Sequence, residues 1–169
     1  MRKTRAVHGW IAVLLLGTLH FAEPAAAKVS IAVIVHPQVA VDDLSLAELQ
    51  RIFLGERRSW TRDLPITLLM PPEGSPERRV LLKRIYGERS EAQVQHYWIN
   101  KLFGDEAPIA PKITGSDAMS ASLARVIPGA IALVPADRAP RHVKVLRIDG
   151  KLPGERGYPL VASGRRGEL

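Results

Sequence analysis

The sequence predicts an α/β fold, a three-layer α/β/α domain on a mixed, mainly parallel sheet. Three observations carry that expectation. Short apolar runs rich in β-branched residues recur at 29–35 (VSIAVIV), 66–70 and 130–134. Segments with apolar residues at helical spacing lie between them, opened by serines at positions 45, 75 and 90 that suit helix caps. Strands that alternate with helices bury both faces of one sheet.

The first 27 residues stand apart from the fold. Arg2, Lys3 and Arg5 form a basic start, Trp10 to Leu19 an apolar run too short to span a bilayer, and Ala25 to Ala27 a small-residue cleavage signal. We read residues 1–27 as a secretory signal peptide cut after Ala27, and 28–169 as a single domain. Localisation would be periplasmic, with no stable membrane span after cleavage. An uncleaved N-terminal anchor is the other reading, and no stop-transfer pattern follows it. No cysteine occurs, which excludes disulfides, cysteine nucleophiles and cysteine-based metal sites. The chain carries a formal charge of +7, which falls to +5 once Arg2, Lys3, Arg5 and Glu23 are removed. A basic surface favours anionic ligands, or serves solubility alone. Nucleic acid is not expected as a partner, since no aromatic-plus-basic reader motif appears.

Val29 to Val35 reads as a buried strand ending at His36-Pro37. Ser45 with Glu48 makes a capping box for a helix whose stripe is Leu46, Leu49, Ile52 and Phe53, with Gly55 as its stop. Arg57, Arg58, Trp60 and Arg62 fall in a loop. Ile66 to Met70 is a second buried strand. A helix then runs from Ser75 to about Gly87, and another from Ser90 to about Phe103 with Val94, Tyr97, Trp98, Lys101 and Leu102 on one broad face. Asp105 to Thr114 reads as irregular. A short helix covers Ala118 to Val126, a third buried strand Ala130 to Val134, and an exposed or edge strand Val143 to Ile148. The remainder, from Leu152, is rich in Gly, Arg and Pro.

The stretch 71–87, PPEGSPERRVLLKRIYG, carries the candidate site. Ser75 caps, Pro76 suits the first helical position and Glu77 the positive helix end. Leu81, Leu82 and Ile85 share one face, and Arg78 lies one turn above them. A cation in a first helical turn opposes the helix dipole unless something negative faces it. Free N–H groups and a guanidinium there could form an oxyanion pocket from Gly74, Ser75, Glu77 and Arg78. The commoner alternative is an ordinary capped helix, with Arg78 covering apolar surface and its head in water. No catalytic residues and no metal or cofactor site are expected. His36, His96 and His142 lie far apart, no hydrolase or P-loop signature occurs, and Asp42-Asp43 suits a helix start.

The order of these pieces resembles the phosphate-binding proteins of bacterial ABC importers. LAELQRIFLG at 46–55 followed by Trp60 and Gly74-Ser75, VIPGAI at 126–131 and Tyr158-Pro159-Leu160 each match a segment of that family in sequence order. Ser75-Pro76-Glu77-Arg78 and Tyr97-Trp98 fit its short, single-lobe relatives. The resemblance implies one lobe of a type 2 periplasmic binding protein, binding phosphate or a related oxyanion for an ABC permease. Pro76 stands where the family has glycine and deletes an N–H donor; Glu77 stands where it has threonine and brings a negative charge. The Ser75 cap and Arg78 favour that oxyanion-binding reading; the departures favour the alternative, a non-catalytic interaction or sensory module that keeps the fold without binding phosphate and meets an envelope protein.

Overall fold

The computed structural model describes residues 28–104 and 110–163. The expected signal peptide lies outside the described residues. In chain order the strands are β1 Lys28–Val35, β2 Asp43–Leu44, β3 Ser59–Thr61, β4 Leu64–Pro65, β5 Thr67–Met70, β6 Lys112–Ile113, β7 Ala130–Pro135, β8 Lys144–Val145, β9 Arg147–Ile148 and β10 Val161–Ser163. The α-helices are α1 Leu46–Phe53, α2 Pro76–Val80, α3 Glu91–Phe103 and α4 Asp117–Val126. A π-helical turn, Leu81–Ile85, continues α2, and a 3-10 turn, Ala136–Arg138, follows β7.

The main sheet runs β10-β1-β7-β5-β6, with β8 also paired to β1. Strands β5, β6 and β7 are parallel, while β1 runs antiparallel to β7, β8 and β10. The sheet is mixed, as expected, but its pairings are mainly antiparallel rather than mainly parallel, because β1 runs against each of its three neighbours; its two faces differ in side-chain size. Ile31, Val33, Val35, Leu68, Met70, Ile131 and Leu133 pack with Leu49, Ile52 and Phe53 of α1, Val80 and Leu81, and Val94 and Trp98 of α3. Ala32, Ile34, Leu69, Ala130, Ala132 and Val134 pack with Ala121 and Ala124 of α4. Period-two alternation thus places the bulky residues under three helices and the small ones under one. Alanine facing alanine lets α4 approach the sheet closely.

Buried polar groups tie these layers together. Trp60 Nε1 donates to the Gly129 carbonyl at 2.9 Å, and the Thr67 N–H reaches the same oxygen at 3.1 Å. Tyr86 donates to the Phe53 carbonyl at 2.8 Å and accepts from Trp98 Nε1 at 2.8 Å. Tyr158 donates to the Ile31 carbonyl at 2.8 Å. Burial pushes both tyrosine hydroxyls up from their ordinary pKa, so they remain donors at any physiological pH.

Several short elements differ from the sequence expectation. The expected helix 75–87 is α-helical only to Val80. The Tyr86 N–H then bonds the Leu81 carbonyl, and the consecutive residues Ile85 and Tyr86 are both buried. Val143 to Ile148 is not one strand. β8 lies on β1 and β9 on β2, because the fully buried Leu146 donates its N–H to Val33 while Arg147 donates to Asp42. Lys112–Ile113 joins β5 as β6 inside a stretch expected to be irregular, and Val161–Ser163 joins β1 as β10. The segment expected to be a loop after α1 contains the β3–β4 hairpin.

Two outcomes follow for stability. Gly129 sits at φ +74°, and a Cβ there would overlap the Pro65 carbonyl oxygen. Gly129→Ala should cost more than about 2 kcal/mol in urea unfolding, since positive φ and a backbone clash act together; a loss under about 0.5 kcal/mol would contradict this packing. At the start of α1 the Glu48 carboxylate accepts from the Ser45 N–H at 2.9 Å and from Ser45 Oγ at 2.8 Å. These bonds hold Glu48 below its ordinary pKa. A depressed folded-state value contributes stability above the unfolded pKa and loses it as pH falls through the folded one. Ser45→Ala should therefore cost roughly 1 kcal/mol near neutral pH and less in acid. Equal losses at both pH values would exclude a carboxylate contribution.

Candidate functional site

Strands β5, β6 and β7 are parallel and end on the same side of the sheet, where open α/β sheets place their ligands. After β5 the chain turns through Pro71-Pro72 to the Ser75 cap of α2, and after β6 it turns to the Ser116 cap of α4. A hydrogen-bonded chain fixes the second turn against the first. Thr114 Oγ1 lies 3.0 Å from the Met70 carbonyl and 2.6 Å from Ser120 Oγ, which lies 3.1 Å from the Ser116 carbonyl, so the two hydroxyl protons serve two of these three contacts at a time. Thr114 and Ser120 are buried.

Between the two helix starts lies an open pocket of about 250 Å³. Ser75, Pro76 and Glu77 line one side, Ser116 and Asp117 the other, and Asp137 and Arg138 from the 3-10 turn close it. Val29, Pro72 and Pro135 supply apolar wall. The cap hydroxyls are engaged locally: Ser75 Oγ accepts the Arg78 N–H at 3.0 Å, and Ser116 Oγ the Met119 N–H at 3.1 Å. Pro76 has no N–H, so of the first three residues of α2 only Glu77 keeps an N–H outside the cap.

Three carboxylates and one guanidinium line this pocket. Arg138 Nη1 meets Asp117 Oδ2 at 2.9 Å. That hydrogen bond and the Asp117 charge, with smaller contributions from Asp137 and Glu77, raise the Arg138 pKa above its ordinary value. Glu77 is only 3% exposed as a residue, and its carboxylate oxygens are not among the buried polar atoms that lack a partner. No group of three or more His, Cys, Asp or Glu among the described residues could hold a metal ion.

Arg78 does not line the pocket. Its side chain is buried and turns toward the start of α3. There Nε meets Glu91 Oε1 and Oε2 at 3.1 and 2.9 Å, and Nη2 meets Oε2 at 2.6 Å. Glu91 is the first residue of α3, so it also complements that helix's positive end. The negative group demanded by a cation in the first turn of α2 is thus a residue of the protein itself. Nη1 of Arg78 is buried without a partner.

Of the sequence-predicted site residues, Ser75 and Glu77 face the pocket, and Arg78 is committed elsewhere. Gly74 sits at φ +75°, with its carbonyl accepting from Arg79 Nη1 at 2.6 Å. Asp117 and Asp137, far from Glu77 in sequence, converge with it through the ends of different strands. Glu91 signals only its own helix start, and nothing local couples it to Arg78. The arginines after α1 lie elsewhere: Arg57 and Arg58 line a 90 Å³ cavity with Trp98, and Arg57 stacks 5.5 Å over the Trp60 ring.

The buried pair makes a stability prediction. Removing one partner of a buried ion pair costs about 3–5 kcal/mol, reduced here because Glu91 is partly exposed. Glu91→Ala should cost about 2–4 kcal/mol in urea unfolding, and Arg78→Met combined with Glu91→Gln should recover much of it. If Glu91→Ala costs less than about 0.5 kcal/mol, the pair behaves as a surface contact.

No protein-family model matches this sequence, and no curated protein matches it. Solved structures do. A phosphate ABC transporter substrate-binding protein from Clostridium perfringens, solved with bound phosphate, superposes with a TM-score of 0.59 at 22% identity, covering 75% of this chain and 48% of the other. PstS from Borrelia burgdorferi gives 0.64 at 12% identity, covering 81% and 56%. An ABC-type phosphate transport receptor from Vibrio cholerae gives 0.60 at 17% identity, covering 82% and 56%. The chain spans about half the length of the structures it matches. In fold it resembles the PstS-type phosphate substrate-binding proteins.

Proposed function

We propose that this protein is an exported, non-catalytic binding module of the periplasm that keeps the phosphate-receptor fold without recognising phosphate. The observation that carries this reading is the disposition of charge at the two helix starts. The nearby guanidinium of Arg78 is bound to Glu91, and the pocket presents Glu77, Asp117 and Asp137 against Arg138 alone. One carboxylate about 4 Å from a phosphate charge is repulsive by about 1 kcal/mol in water and about 4 kcal/mol near a protein surface. A helix start returns about 0.3–1 kcal/mol to an exposed anion. Three carboxylates outweigh two helix starts and a guanidinium already paired. The absence of any long apolar helix among the described residues is compatible with a module in solution or docked on an envelope protein.

A second reading has its own support. Phosphate or a related oxyanion bound by Gly74, Ser75, Glu77 and Arg78, for delivery to an ABC permease, would give the unpartnered Nη1 of Arg78 an acceptor. The structural neighbours named for phosphate point the same way. Calorimetric and thermal-shift titration with phosphate and sulfate separates the two. We expect neither saturable heat nor a rise in Tm beyond that given by chloride of equal ionic strength. A saturable phosphate isotherm tighter than about 1 mM, lost in Arg78→Met, would establish the oxyanion site instead.

A further inference from the structure

We infer that the groove between β10 and the helical segment Pro76–Ile85 binds an extended acidic segment of a partner protein, which pairs with the open edge of β10 while its carboxylates meet Arg79, Lys83 and Arg84. The inference rests on the reading of the protein as an interaction module and places the partner away from the pocket at the two helix starts. β10 ends the main sheet, with β1 on one side and no strand among the described residues on the other. Its register decides which groups are open. The Ile31 N–H bonds the Leu160 carbonyl at 2.8 Å, and Val29 pairs with Ala162, so the backbone groups of Leu160 and Ala162 turn towards β1. Those of Val161 and Ser163 therefore turn outward. An open edge of this kind is a template for another strand.

An open groove of about 290 Å³ borders that edge, with Val80, Val161 and Ala162 as its apolar floor and Arg79, Lys83 and Arg84 on the helical side. All three cations are exposed, and none has an ion-pair partner among the described residues. Arg79 Nη1 donates to the Gly74 carbonyl at 2.6 Å, which leaves its charge unneutralised. The π turn gathers the three. Its i→i+5 bonding brings residues five apart towards alignment, so Arg84 as well as Lys83 falls near Arg79. Sheet edges are commonly guarded by charges on the edge strand itself, yet β10 carries Val, Ala and Ser. Here the charge stands on the neighbouring helix, where it selects the sign of a partner and leaves the backbone open. A second copy of this chain would set three cations against three more, which like-charge repulsion opposes. A lipid surface meets the cations but leaves the outward N–H and C=O groups unused. An acidic strand uses both.

The test uses the intact protein and a blocked, fluorescently labelled peptide of about eight residues that alternates valine with glutamate. Anisotropy should show saturable binding tighter than about 1 mM at low salt, weakening severalfold as ionic strength rises. The same peptide with lysine for glutamate should not bind. Amide hydrogen exchange should slow at Val161 and Ser163 in the complex, a response that loose charge attraction does not give. Lys83→Glu with Arg84→Glu should weaken binding by at least about tenfold. Arg125→Glu with Arg141→Glu makes the same charge change at exposed positions outside the groove and should leave binding within about twofold. Absence of binding overturns the inference, as do equal losses in the two double variants or unchanged exchange at Val161 and Ser163. If the first double variant fails to fold by circular dichroism, Lys83→Gln takes its place, and a Lys83→Gln protein binding as tightly as wild type overturns the inference. Sedimentation with phosphatidylglycerol vesicles that needs Lys83 and Arg84, without peptide binding, makes the groove a membrane contact and also overturns it. Saturable heat from phosphate removes the functional reading whatever the peptide does. A silent peptide beside silent phosphate removes the groove alone.

Discussion

Burial of β1 and β7 on both faces is the constraint on which the rest depends. From Ile31 to Val35 no residue of β1 is exposed, and every residue of β7 is buried. Backbone groups at such depth need partners, because an unpaired N–H or C=O costs as much as a lost hydrogen bond. The two strands supply each other over Ile31–Val35 and Ile131–Pro135, while β10 and β8 share the other edge of β1. With the ladder fixed, side-chain direction is fixed too. A slip of one residue would exchange the Ile31, Val33 and Val35 face for the Ala32 and Ile34 face, putting bulk where α4 must sit. The volume asymmetry of the sheet therefore locks its register, and the locked register sets how closely α4 approaches. That approach brings Ser116 across from Ser75 and creates the pocket.

The polar network at the carboxyl ends then holds the two helix starts in place. Thr114, Ser120 and the Met70 carbonyl form a closed set that no solvent reaches, and their mutual bonds strengthen in low dielectric. On the bulky face, the Trp98–Tyr86–Phe53 chain anchors α3 through the π turn to the end of α1. Gly55 belongs to the same region. Its φ is +66°, and a Cβ there would lie 2.8 Å from Trp98 Cη2, so the residue that ends α1 also makes room for the tryptophan.

Whatever depends on a run of residues was legible in the sequence, and whatever depends on one contact across the chain was not. The three apolar strands and the caps Ser45, Ser75 and Ser90 declare themselves through period, β-branching and local hydrogen bonding. Strands of two or three residues carry no period; β6, β9 and β10 exist because β5, β2 and β1 offer them a backbone. The π turn lacks a marker, since no Gly or Pro interrupts Leu81–Ile85. At the site, the oddity of Arg78 in a first turn was visible, but its resolution by Glu91 lies 13 residues away in another helix. The meeting of Glu77, Asp117 and Asp137 depends on three loops at the ends of β5, β6 and β7, and only the sheet order brings them together.

Fold and ligand sign are separable in this architecture, and the α2 start explains why. The cap itself, Ser75 Oγ receiving the Arg78 N–H, secures the helix whatever follows it. Pro76 is as good a first helical residue as glycine is a poor one, so its presence removes an anion donor while favouring the helix. Glu77 likewise complements the dipole that an oxyanion would otherwise use. Both residues thus serve local stability in the direction that opposes anion binding, and neither touches the alternation of β1 and β7 that defines the sheet. The fold is shared with phosphate receptors at 12–22% identity, and the two residues bear on the proposed ligand sign without bearing on the sheet. Since the dipole acts only within its first turn, a carboxylate at that same turn opposes an anion there, whatever the rest of the fold does.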